Sequence, residues 1–100
     1  MGGEELDDYE ATLELALVQE YRAVLSMFTY AVETDRRFYL ANDVNIVVHS
    51  AGQPTHLEVT LTDAWVWDMY RSARFVPSVT VHTFRDVNVE RLPETDELQP

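Results

Sequence analysis

The sequence predicts an α+β protein: a long N-terminal helix packed on a mostly antiparallel four- to five-stranded sheet, with a short aromatic-rich helix or excursion before the last strands. Three observations carry that expectation. Apolar residues recur at three- and four-residue steps from Glu4 to about Met27, the period changes to two at Phe28, and later alternating runs are separated by polar or Gly/Pro turns. A chain of 100 residues with 46% apolar content fits one folded domain, assigned here to residues 1–92, with an acidic, proline-led and disordered tail at 93–100.

The helix is read from Leu6, Tyr9, Leu13, Leu17, Val24 and Phe28, with Leu15, Val18 and Leu25 widening the stripe to more than one narrow seam. Glu4, Glu5, Asp7, Asp8 and Glu10 crowd its start, where the helix dipole favours negative charge. No glycine or proline marks its end. Phe28, Tyr30 and Val32 then alternate with polar or small residues as in a half-buried strand, and Glu33-Thr34-Asp35-Arg36 makes a polar turn. Phe38-Tyr39-Leu40 leads to Asn42-Asp43, after which Val44, Ile46 and Val48 alternate up to His49. Ser50-Ala51-Gly52-Gln53-Pro54 is the clearest turn and His56 to Thr62 the clearest strand, so 44–49 and 56–62 form a hairpin. From Asp63 to Phe75 strand and helix compete. Asp63 is a poor core residue and a good N-cap, which favours a short helix with Trp65 inside and Trp67 or Tyr70 partly outside. Val79 to Phe84 and Val87 to Glu90 supply the last strands.

Charge limits the function classes most. Eighteen acids against seven bases give −11 at neutral pH, a field that disfavours a phosphate backbone, so no free nucleic acid is expected as a partner. All seven bases are arginine, and the single isoleucine with abundant valine and alanine suits a GC-rich coding bias. No apolar window is long enough to span a bilayer and the start lacks the basic and apolar regions of a secretory signal; no membrane role and a cytoplasmic location are expected. Cysteine is absent, which removes disulfides, thiolate nucleophiles and cysteine zinc sites. Neither a nucleophile elbow nor a phosphate-cradling glycine loop is present, so no catalytic residue and no cofactor is assigned.

Two groups of residues remain as candidates. The segment Asp63 to Phe75 holds both tryptophans, a tyrosine and two arginines, the residue types that dominate interface hot spots, and Trp67, Tyr70, Arg71 and Arg74 are its partner-binding candidates. The plain alternative is aromatic mass for a small core. Arg71 and Arg74, with Arg36 and Arg37, also suit an anion, although neutralisation of the protein's own acids is the favoured role. Across the hairpin, His49, His56 and Glu58 converge on one face with His82 within reach, a weak metal alternative set against an ordinary solvated face that also carries Thr60, Thr62 and Thr80. The runner-up function, a metal-dependent or degenerate restriction-endonuclease-like nucleic-acid enzyme, would draw on Glu58, Asp43 and these histidines. Thr60 stands where that fold places a lysine two residues after the acid.

Several strings are specific: Glu33-Thr34-Asp35-Arg36-Arg37-Phe38-Tyr39-Leu40-Ala41-Asn42, Asp63-Ala64-Trp65-Val66-Trp67-Asp68-Met69-Tyr70-Arg71, Ala73-Arg74-Phe75-Val76 and Thr83-Phe84-Arg85-Asp86-Val87-Asn88-Val89-Glu90. With the opening Tyr9-Glu10 and Glu20-Tyr21-Arg22, they resemble a family of short, uncharacterised actinobacterial proteins, a domain-of-unknown-function family. The resemblance covers nearly the whole chain and implies a lineage and a cytosolic setting, with no catalytic residues to transfer. The expectation from the residues is therefore a non-enzymatic protein-interaction or regulatory module, whose acidic body presents an aromatic–arginine surface to a protein partner or in self-association.

Overall fold

The computed structural model describes residues 2–51 and 54–93; the expected tail beyond Pro93 and the turn residues Gly52 and Gln53 lie outside the described residues. Helix α1 runs Gly2–Val24 and closes through a single 3-10 turn, Leu25–Met27, where Phe28 N–H donates to Leu25 O at 3.3 Å. That turn ends the helix without glycine or proline. Strands β1 (Tyr30–Glu33), β2 (Phe38–His49), β3 (His56–Val66), β4 (Phe75–Thr83) and β5 (Asn88–Arg91) follow. They form one sheet in the order β4-β3-β2-β1-β5, every pairing antiparallel, so the expected α+β architecture holds.

Three expectations need correction. The helix is buried along a narrower seam than its apolar residues suggest: Leu17 and Val24 are buried, but Tyr9 and Leu15 are 60% and 59% exposed. Packing concentrates in the C-terminal half of α1 and the 3-10 turn after it, where Leu17, Tyr21, Val24 and Leu25 lie over Leu40 and Trp65. Phe38 to His49 is one strand rather than two pieces broken at Asn42-Asp43. Asp63 caps no helix, because β3 continues through it to Val66, and the irregular excursion is Trp67–Arg74.

Asp63 explains why the pattern misleads. It sits at φ 53° inside the strand, a left-handed conformation that aspartate tolerates better than most side chains. Asn42 Nδ2 donates to its Oδ2 at 2.7 Å. On one side of Asp63, Val59 and Leu61 join one core; on the other, Ala64 and Val66 join that same core while Trp65 turns to the helix. The odd-numbered residues therefore change face at Asp63. The flip repeats in the neighbouring strands, where Ala41 and Val44 share a core, as do Val76 and Val79.

The sheet also coils. β4 and β5 occupy opposite edges, yet only Phe84–Val87 join them. Thr83 is level with Val48 through Leu57, and Asn88 is level with Phe38 through Glu33. Ten residues of β2 separate those levels, about 33 Å, whereas the five steps from Thr83 to Asn88 span at most about 18 Å. Curling closes the gap: Thr83 Oγ1 donates to Asp35 Oδ1 at 3.2 Å, and Val87 and Val89 pack on the core of Val32, Val59 and Leu61. The concave face thus encloses one core and the outer face, under α1, a second.

Candidate functional site

The aromatic segment leaves β3 at Val66 and rejoins the sheet at Phe75. Its two ends are clamped by Val66 N–H to Arg74 O at 2.9 Å and Trp67 N–H to Phe38 O at 3.0 Å. Inside the loop, Asp68 accepts from Tyr70 N–H at Oδ1 (3.1 Å) and from Arg71 N–H at its carbonyl (3.1 Å), the side-chain turn aspartate makes readily.

Three side-chain struts tie the loop to the body. Arg74 grips Glu20 of α1 with Nε on Oε1 at 2.7 Å and Nη2 on Oε2 at 2.5 Å, a two-pronged pairing. Oε1 also accepts from Trp65 Nε1 at 2.6 Å, so a fully buried indole keeps its hydrogen bond. Arg74 chiefly, and Trp65 after it, hold the Glu20 carboxyl below its usual range despite partial burial; the same bond raises Arg74. Arg37 Nη1 reaches Asp68 Oδ2 at 3.1 Å, and Tyr70 donates to Glu10 Oε1 at 3.1 Å, which pushes the phenol upward. Arg71 Nε bonds within the loop to Ala73 O at 2.7 Å.

Trp67 stands half-buried among rings. Its centroid is 5.2 Å from Tyr21 and 6.1 Å from Phe38, both edge-to-face, with Trp65 behind at 5.9 Å. Tyr21, Phe38, Trp67 and Glu33 line an open cleft of about 340 Å³. Tyr70, 65% exposed, stands on the same loop.

The candidates thus separate by role. Trp67 opens on the cleft, Tyr70 and Arg71 stay exposed on the loop, and Arg74 turns inward to Glu20. Sequence reasoning missed Glu20, Tyr21, Glu33 and Phe38. Tyr21 carried a signal, since Leu17, Tyr21 and Val24 follow i, i+4, i+7. Glu20 carried none, lying 54 residues from Arg74.

The histidine face forms as the hairpin requires. His49 pairs with His56 and their rings stack at 4.9 Å, His56 lies 5.7 Å from His82, and His49 Nε2 is 3.5 Å from Glu58 Oε1. Although the His49 side chain is 43% exposed, Nε2 itself is shut off from solvent and finds no well-directed hydrogen bond. Thr60 and Thr80 share that face, their hydroxyls 3.4 Å apart. Among the described residues no group of three or more His, Asp or Glu side chains has a geometry for holding a metal ion. Asp43 pairs with Thr62 and Glu58 with Val47, which separates these two acids by four residues of β2, about 13 Å.

Among the described residues no helix is long and apolar enough to cross a membrane. Over residues 1–100 the chain matches DUF2469, a family described as protein of unknown function. It is 50% identical over 101 residues to proteins described as uncharacterized from Mycobacterium bovis and from two strains of Mycobacterium tuberculosis, covering 94% of this chain and 100% of each relative. No solved structure matches.

Proposed function

Since the chain belongs to the DUF2469 family, whose function is unknown, we propose from its geometry that it is a cytoplasmic, non-enzymatic protein-interaction module. The observation that carries the reading is the cleft, in which three edge-to-face rings stay open to solvent beside a loop held by Glu10, Glu20 and Arg37. A rigid apolar floor with a polar rim is the pattern of an interface hot spot, because its rings are already ordered before a partner arrives. The cleft volume suits one apolar or aromatic side chain of a partner protein.

Charge narrows the partner further. Glu33 stands at the cleft and the chain carries −11, so an inserted side chain flanked by basic residues is favoured in approach and in register. In this reading Trp67 supplies the contact, Tyr70 and Arg71 the rim, and Arg74 holds the loop from beneath. The test is photocrosslinking from position 70 in native cytosol, followed by binding measurements with the captured protein. Trp67→Ala and Glu33→Arg should each weaken binding by about 2 kcal/mol or more while the fold stays intact. A captured set that neither substitution alters removes the cleft from the interface.

A further inference from the structure

Three strand edges face away from the sheet among the described residues: the outer sides of β4 and β5, and the side of β2 beyond Ala41, where β1 stops pairing. β4 is protected by Pro77, which has no N–H, and by the polar residues Ser78, Thr80 and His82. β5 is four residues long and carries Glu90 and Arg91. The β2 edge lacks these devices. From Asp43 to His49 it pairs only with β3; on its other side the last backbone bond is Thr29 N–H to Ala41 O, at 3.2 Å. Val44-Asn45-Ile46-Val47-Val48 contains no charge and no proline, and Ile46, Val47 and Val48 are 41%, 38% and 62% exposed, so both faces of the strand are open.

We propose that this edge pairs antiparallel with the same edge of a second copy, about a two-fold axis at Ile46. In that register Ile46 faces Ile46, Asn45 faces Val47 and Val44 faces Val48. Asp43 of one copy meets His49 of the other at both ends, a carboxylate acceptor opposite an imidazole that keeps 43% of its side chain exposed. Self-complementarity is what a two-fold interface demands, and a one-residue slip would send every side chain to the opposite face. The match of both ends to themselves selects a second copy over a foreign strand. The run from Val44 to Val48 carries no acid, so the paired stretch itself adds no like-charge contact between two chains of −11.

The test is sedimentation equilibrium of the full chain up to about 1 mM, a range that reads even weak association. A monomer–dimer equilibrium is expected, strengthened by added salt, and Ile46→Lys should weaken it about tenfold or more with an unchanged melting midpoint. The chain has no cysteine, so Ile46→Cys reports the register directly. Residues opposite one another bring their Cβ atoms to about 4.5–5.5 Å, near disulfide reach, and mild oxidation should link this variant but not Ser78→Cys on the β4 edge. A monomer over the whole range, a dimer indifferent to Ile46→Lys, or preferential linkage through Ser78→Cys overturns the proposal, whether or not the edge then takes a foreign strand.

Discussion

Glu20 accepts three hydrogen bonds from residues more than forty positions away, at 2.6 Å from Trp65 Nε1 and at 2.7 and 2.5 Å from Arg74. Removing the carboxylate leaves a buried indole N–H and a half-buried guanidinium without their acceptor. Glu20→Ala should cost about 1–3 kcal/mol, read as a lower denaturant midpoint. Because the folded carboxyl lies below the unfolded value of 4.5, its stabilisation is full above that pH and fades as pH falls through the lower folded value. Melting midpoints should therefore drop on acidification below about 4.5, and Glu20→Gln should flatten that part of the profile relative to the native chain. Asp63 offers a second reading at this scale. At φ 53° a β-branched side chain is strained, so Asp63→Val should destabilise by about 1–2 kcal/mol, and Asp63→Gly, which loses only the bond from Asn42, by less. Equal losses would locate the cost in that hydrogen bond rather than in the backbone.

The excursion Trp67–Arg74 divides the aromatic segment between fold and surface. Trp65 lies in the last stretch of β3 under α1 with no exposure, whereas Trp67 is half-buried at the cleft. Trp65→Ala should cost about 3–5 kcal/mol and Trp67→Ala clearly less, measured by chemical denaturation; equal losses would make the cleft part of the core. The hairpin of β2 and β3 is legible in sequence because alternation and a Gly-Pro turn agree, and the His49–His56 pairing follows from it. The last turn of β3 is not legible. A single left-handed residue reverses the alternation at Asp63, so a period-two reading puts Asp63 beside Trp65 on one inward face and makes a helix look preferable. The site was half legible for a related reason. Residue types marked Trp67, Tyr70 and Arg71, but the inward turn of Arg74 depends on Glu20, an acid with nothing local to distinguish it from its neighbours on α1.

At the scale of the whole molecule, two cores lie on opposite faces of one sheet. Leu17, Val24, Phe28, Leu40 and Trp65 form the helix side, and Val32, Tyr39, Ala41, Val59, Leu61, Ala64 and Val66 the concave side. They share strands: Leu40 lies between Tyr39 and Ala41, and Trp65 between Ala64 and Val66. Neither core can empty while the ladder of β2 and β3 persists, since each of those residues is fixed by its neighbour's backbone. Loss of one face should therefore propagate to the other, and the chain should unfold as one cooperative unit. Leu61→Ala tests this because Leu61 is fully buried on the concave face, away from both tryptophans. It should cost about 2–5 kcal/mol, a fall in melting midpoint of about 8 °C or more for a chain of this size. Tryptophan fluorescence, which reports the helix face, should move by the same amount as far-ultraviolet circular dichroism. If the fluorescence transition stays in place while the dichroism transition falls, the two faces unfold separately and the shared strands do not couple them.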